Sequence, residues 1–349
     1  MFAQRSNLFS PKHWLMIREI LRFNKLAKRT LTSNEIYQYK GESLGAFLQR
    51  HQFSQRMIDC YLLPMAAAIW SCPVETMMKF PAVSFLQFFE NHGLLNVQDR
   101  PQWETLEGGS QTYIDKILEQ SQFEVRLSQT IESVREAAGG VQLFLNGNWE
   151  AFDQIVFACH PDQAFAMMNE SLKKEFHEVS RFSYQKNVAY LHHDEALMPK
   201  RKTAWSSWNY LRPTLDKQHN VAVTYWMNQL QSLETKQSVL VTLNPETPPD
   251  PEKTWNVMEY EHPVFDEEAV AAQTFIRQNQ GRRRIWFCGA YLGYGFHEDG
   301  LRSGVELARS LGVSIPWEEI DEEHPNAANA AEQVAASGAD VAGNQRMVS

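Results

Sequence analysis

The chain has 349 residues, 43% hydrophobic, 21% charged and 12% aromatic, a composition that can bury a sizeable core and excludes a wholly disordered protein. Its 42 acidic against 33 basic side chains leave a formal charge of -9, which repels the nucleic-acid polyanion and excludes a general nucleic-acid binder. Cys60, Cys72, Cys159 and Cys288 lie far apart without a C-x-x-C pair, which excludes a zinc knuckle or disulfide framework and points to a reducing cytoplasm.

The first residues lack the apolar stretch and small-residue cleavage site of a secretory signal, so a mature sequence from Met1 is expected. No run approaches the ~20 consecutive apolar residues of a membrane-spanning helix. From Pro11 to about Arg29, Trp14, Ile17 and Leu21 recur at helical spacing, with Lys12, Arg18, Arg22, Lys25, Lys28 and Arg29 supplying positive charge. This basic amphipathic helix has two readings. It is a surface helix docked on its own domain, or it attaches peripherally to anionic lipid on the inner membrane face, with Trp14 and Phe23 entering the interface.

Helical periodicity continues through Ser43 to Arg50, Ser54 to Trp70 and Val83 to Asn91, and breaks are expected at Pro64, Pro73 and Pro81. After Pro101 a helix is expected from about Gln111 to Gln120, then short strands around Val125 to Leu127, Ile131 to Arg135, Val141 to Phe144 and Gln154 to Ala158. Between Asn187 and Leu243 the runs NVAYLHH, TAWSSWNYL, NVAVTYWM and SVLVTLN read as a largely antiparallel sheet. An apolar strand then ends at Cys288, followed by a glycine-rich loop and a helix beginning near Asp299. From Asp321 onward the alanine-rich polar tail is expected to be disordered.

Tests for familiar chemistry return little. Gly108-Gly109-Ser110 lacks the glycine two residues beyond the serine that a hydrolase elbow needs. His192 and His193 are strand neighbours that point to opposite faces and cannot easily share one metal, and no metal site or catalytic side chain is assigned. The segment Gly289-Ala-Tyr-Leu-Gly293-Tyr-Gly295-Phe-His-Glu-Asp299-Gly300-Leu-Arg-Ser303-Gly304 is informative. Its glycines admit close backbone approach, and the helix behind it offers free N–H groups to an anionic group; the bland alternative is a change of chain direction.

WFCGAYLGYGFHEDGLRSGVELA resembles the C-terminal flavin motif of the flavin-containing amine oxidase and phytoene desaturase superfamily. WETLEGGSQTYIDKI is similar to that superfamily's W-x-x-x-x-GG-x-x-x-Y segment, and VRLSQTIESV and FDQIVFACHPDQA follow in the same order. YLLPMAAAIWS, FFENHGLL, AWSSWNY, TYWMNQLQ and YEHPVFD further resemble a bacterial branch of FAD-dependent amine-oxidase-like proteins, over about Met1 to Ile320.

The resemblance implies an α/β fold: a Rossmann-like FAD-binding domain, incomplete at its N-terminus, with an α+β amine-oxidase-type substrate domain. Residues 1–100 would be the helical part of the substrate domain and 101–163 part of the FAD domain. The antiparallel sheet would occupy 164–280, the C-terminal FAD segment 281–320 and the tail 321–349. It implies FAD contacts at Gly108, Gly109, Ile131, Gly289, Ala290, Gly295, Asp299, Gly300 and Leu301. It also implies a substrate cavity roofed by Trp205, Trp208, Tyr210, Tyr225 and Trp226, although core packing is the stronger reading of the same aromatics taken by themselves. The implied activity is hydride removal to flavin N5. A lipid or fatty-acyl substrate is preferred because no acidic cluster is placed to hold an ammonium group; a true amine oxidase or a non-catalytic fragment are the alternatives. One departure stands out. The superfamily's G-x-G-x-x-G does not occur, the first glycine being Gly41, so a late start codon, a truncated gene or a form without the pyrophosphate site is expected.

Overall fold

The computed structural model describes residues 5–70, 74–98, 104–211, 222–231 and 233–315. The tail from Asp321, and the expected break at Pro73, lie outside the described residues. Two apolar cores organise the rest, one within a helical layer and one around a pair of parallel strands.

The helical layer comprises α1 (Pro11–Thr32), α2 (Leu44–Arg50), α3 (Gln55–Met57), α4 (Leu63–Trp70), α5 (Val74–Lys79) and α6 (Ala82–Asn91). Pro11 opens α1, where its missing N–H loses no helical bond. Met16, Ile20, Phe23 and Ala27 recur at helical spacing and form the inner face. Phe23 is wholly buried and meets Phe53 and Phe89 edge-on, with centroids 5.6 and 6.5 Å away. It is therefore unavailable to a membrane, contrary to the expectation. Trp14 and Leu21, on the stripe read from the sequence, are instead about half exposed. Both stripes have helical spacing, and the one bearing Phe23 faces the phenylalanines of α2 and α6.

Polar ties fix α1 to the α2–α3 turn. The Arg22 guanidinium donates to the carbonyls of His51 (2.9 Å) and Gln52 (3.1 Å) and lies over the Phe53 ring. Glu19 accepts from the Ser54 N–H at 2.9 Å and from its hydroxyl, while Ser54 Oγ caps α3 by accepting from Met57 N–H. The expected break at Pro64 does not occur, because Ile58–Leu62 widen into a π turn immediately upstream. A π turn takes up the lost donor and moves aside the carbonyl that the ring would strike.

The second half begins with α7 (Gln111–Gln120), matching its expected bounds, and a meander of β1 (Ile131–Ala137), β2 (Gly140–Leu145) and β3 (Asn148–Phe152). Asn146 and Gly147 join β2 to β3 with φ of 49° and 81°, the left-handed pair that a tight hairpin with right-handed twist requires. Val125 to Leu127, expected as a strand, pair with nothing in a ladder; Leu127 is 78% exposed, and without a neighbouring strand β-propensity has nothing to act on.

β4 (Ile155–Phe157) lies parallel to β10 (Ile285–Phe287), in register Ile155↔Ile285 through Phe157↔Phe287. Around this pair pack α8 (Pro161–Met167), α9 (Glu170–Glu175), α11 (Glu267–Gln278) and the loop leading to α12 (His297–Ser310). The third sheet is antiparallel, in order β6-β7-β8-β5-β9. Its strands are β5 (Tyr184–His192), β6 (Trp208–Leu211), β7 (Ala222–Trp226), β8 (Leu240–Leu243) and β9 (Thr254–Pro263), with the short α10 (Met227–Leu230) after β7. β9 escaped the sequence reading because this edge strand is mostly solvated and lacks apolar alternation.

Candidate active site

In α/β sheets, ligands gather beyond the carboxyl ends of parallel strands. Here those ends belong to β4 and β10, and Cys288 N–H extends the ladder by donating to Phe157 O at 3.0 Å. Past them lie Cys159, His160, Gly289 and Tyr291. Burial pushes both thiols up from their ordinary range, and likewise the Tyr184 and Tyr291 hydroxyls. All four stay neutral near pH 7, so neither thiol is a thiolate nucleophile. His160 stacks on Tyr184 at 4.0 Å, and the buried Tyr291 hydroxyl has no partner among the described residues.

The glycine-rich loop is held by two side chains from α12. Ser303 Oγ accepts from Gly289 N–H at 2.8 Å and donates to Gly300 O at 2.7 Å. Asp299 Oδ2 accepts from Tyr294 N–H (3.0 Å) and Phe296 N–H (3.1 Å). Two glycines are required by space, and Gly289 by its φ as well. A Cβ on Gly289 (φ 154°) would stand 2.5 Å from the Tyr291 ring, and one on Gly293 would stand 2.3 Å from the Asp299 carboxylate. Gln273 closes the loop from α11, donating to the carbonyls of Tyr291 (2.9 Å) and Gly293 (2.8 Å).

So clamped, the loop delivers Tyr294 and Phe296 against α6. Phe296 stacks on Phe88 at 5.0 Å and tilts against His92 at 5.4 Å; Tyr294 meets Phe88 edge-on at 5.9 Å. Tyr210 and Tyr225 pack against the same helical core from the antiparallel sheet. Strand alternation puts Trp208 on their face, since it opposes Tyr225 across the β6–β7 ladder. Trp226 falls on the other face, T-shaped to Trp205 at 5.3 Å. The five aromatics expected as one roof therefore divide between two faces, because Tyr225 and Trp226 are consecutive.

That second face carries a buried polar chain. His192 Nδ1 accepts from Asp194 N–H at 3.0 Å, leaving Nε2–H to donate to Thr242 Oγ1 at 2.7 Å; Thr242 reaches Thr224 at 2.8 Å, and Thr224 donates to Leu197 O. Burial lowers the His192 pKa to about 4 and keeps the imidazole neutral.

Of the other expected cofactor residues, Ala290 and Gly295 lie in the clamped loop and Asp299, Gly300 and Leu301 in the first turns of α12, where Leu301 is 55% exposed. Ile131 opens β1 and packs against the core that contains Tyr291. Gly108 and Gly109 form the turn before α7, with φ of 79° and 82°. No hydrogen bond joins them to the 289–301 loop among the described residues. Gln273, Phe88 and His92 were not singled out from the sequence, and Ser303, inside the glycine-rich segment that was, had no role assigned to it.

No family model matches the sequence, and no curated protein does. Solved structures match its fold. A cyclohexylamine oxidase from Brevibacterium oxydans IH-35A superposes with a TM-score of 0.56 at 12% identity, over 89% of this chain and 76% of that one. A putrescine oxidase redesigned in its cofactor binding gives 0.59 at 13% identity, over 84% and 74%. A fatty acid isomerase from P. acnes that produces CLA gives 0.54 at 12%, over 84% and 74%. The mixed helix-and-sheet architecture is thus a fold shared with these two amine oxidases and the fatty acid isomerase, as the motif resemblance led one to expect.

Proposed function

We propose that this chain is a flavin-dependent oxidoreductase of the amine-oxidase kind that takes hydride from an apolar, lipid or fatty-acyl substrate. The observation that carries the reading is the doubly clamped loop Gly289–Phe296, which lies beyond the parallel strand ends and faces an aromatic wall. When bound, flavin would supply the hydride acceptor, the part of the chemistry no side chain can provide.

The residues present fit one end of that cofactor. The loop spends the N–H groups of Gly289, Tyr294 and Phe296 on Ser303 and Asp299, while the first-turn N–H groups of His297 and Glu298 have no intrahelical acceptor. Donors at a helix start stabilise negative charge that develops on a ring beside them. Gly289 and Ala290 would take the backbone close to the cofactor, and Gly108, Gly109, Ile131, Gly295, Gly300 and Leu301 are the further contacts proposed. The glycine fingerprint for a pyrophosphate does not occur in the sequence, so these residues account for the ring end alone. His92, Tyr294 and Phe296, backed by the buried Phe88, would orient an apolar substrate and exclude water.

The test loads purified protein with FAD, removes free cofactor and reads the visible flavin absorbance that remains. It then follows anaerobic bleaching by a long-chain unsaturated fatty acid and, separately, by putrescine. Retained absorbance bleached by the fatty acid is expected. No retained flavin would overturn the reading, and bleaching by putrescine alone would replace the apolar substrate with an amine.

A further inference from the structure

The inner face of α1 is committed to the helical core, and its outer face is not. Arg5–Phe9 fold as a short turn against the start of α1, with Trp14 Nε1 donating to Leu8 O at 2.9 Å. Around this junction five large apolar side chains stand in solvent: Phe9 at 88% exposure, Leu15 at 59%, Trp14 at 49%, Leu21 at 48% and Leu8 at 44%. Trp14, Arg18, Leu21 and Lys25 follow one another at i, i+4, i+7 and i+11, which aligns them along one side of the helix.

Charge accompanies this apolar strip. The acid of α1, Glu19, turns its carboxylate to Ser54, whereas Lys12, Arg18 and Lys25 are exposed and form no ion pair among the described residues. A groove of about 560 Å³ is lined by Lys12, Leu15, Arg18, Arg22 and Arg56, with Glu19 also among its walls. In a chain of formal charge -9, such a patch is a local inversion of sign rather than the general surface.

We infer that the outer face of α1, with the Arg5–Phe9 turn, docks on an anionic lipid bilayer. The cations complement the headgroup phosphates, and the exposed Phe9, Leu15 and Leu21 enter the interface beside them. A nucleic acid or an acidic protein would satisfy the charges but has no use for the apolar strip, so lipid is the occupant that uses both. The contact lies in the plane of the interface. Among the described residues no helix is long and apolar enough to cross a membrane. This inference does not depend on flavin, and its test reads no activity.

The experiment sediments the full chain with vesicles of phosphatidylcholine alone, and with vesicles carrying phosphatidylglycerol as about a third of the lipid. Binding to the mixed vesicles, weakened but not abolished by salt, is expected. The double variant Arg18→Glu/Lys25→Glu should lose about tenfold or more in partitioning, and Phe9→Ser/Leu15→Ser a comparable factor. All four residues are exposed, so the variants should keep the wild-type far-ultraviolet circular dichroism. Ile117→Ser, an exposed apolar residue of α7, should bind as wild type. Wild-type protein left in the supernatant, or binding neutral vesicles equally, would overturn the inference. So would retained binding by either double variant: loss with the charge pair alone would mean capture by any polyanion. Loss with Ile117→Ser would move the contact to α7.

Discussion

The helical layer and the sheet-and-loop half reach stability by different means. In the first, Phe23, Phe85, Phe88 and Phe89 are fully buried and interlock edge-on or stacked, Phe47 is buried beside Tyr39, and α1 gives up its inner face to this core. In the second, geometry rests on buried hydrogen bonds: the Asp299 and Ser303 clamps, Gln273 across the loop, and the chain from His192 through Thr242 to Thr224. Its helix α7 is amphipathic too, yet buries no residue and leaves Tyr113, Ile114, Ile117 and Leu118 exposed. Apolar packing is non-directional and tolerates adjustment, whereas hydrogen bonds hold a loop to tenths of an ångström and fail sharply when a partner is lost. The half that carries the proposed site is the half built on hydrogen bonds.

Substitutions can break this contrast. Phe23→Ala should cost the most, about 3–5 kcal/mol in denaturant unfolding, because the cavity opens in a close-packed aromatic cluster. A loss below about 1 kcal/mol would show that the helical layer is not the stabilising half. Asp299→Ala strips the acceptor from two loop N–H groups and should cost about 2–4 kcal/mol, while Asp299→Asn, retaining one carbonyl acceptor, should cost less. If the two variants unfold alike, the clamp does not hold the loop.

The polar chain also makes stability respond to pH. The folded His192 pKa is about 4 against an ordinary 6.5, so the unfolded chain takes up a proton in this window that the folded chain refuses. Its contribution is fully present above pH 6.5 and declines toward pH 4, by up to about 1.4 kcal/mol per pH unit. Comparing denaturant midpoints of wild type and His192→Gln from pH 7 to pH 4 should show a shallower acid slope in the variant. Identical slopes would assign the acid sensitivity elsewhere. The smallest effect belongs to α7, where Ile117→Ala should change stability by less than about 0.5 kcal/mol; a loss near that of Phe23→Ala would mean α7 is packed in solution.

Much of the local structure was legible in the residues. The bounds of α7, the start of α1 at Pro11, four of the antiparallel strands and the strand, glycine loop and helix around Gly289 follow from periodicity, proline and glycine, because those signals act within a turn or two of chain. Other features were decided by neighbours far along the chain. Two stripes on α1 had helical spacing, and only the position of Phe53 and Phe89 selected the one bearing Phe23. Pro64 stayed within a helix because a π turn formed before it, and Val125 to Leu127 found no strand to pair with. Tyr225 and Trp226 were separated onto two faces once β7 lay between β6 and β8. The Ser303 and Asp299 clamps needed α12 to fold back on its own loop. Sequence by itself settled most of the helices and strands whose signals are local, and the place of the glycine-rich loop between β10 and α12. Tertiary structure decided which faces are buried and which side chains hold that loop, because burial and hydrogen bonding across the fold join residues that no local pattern connects.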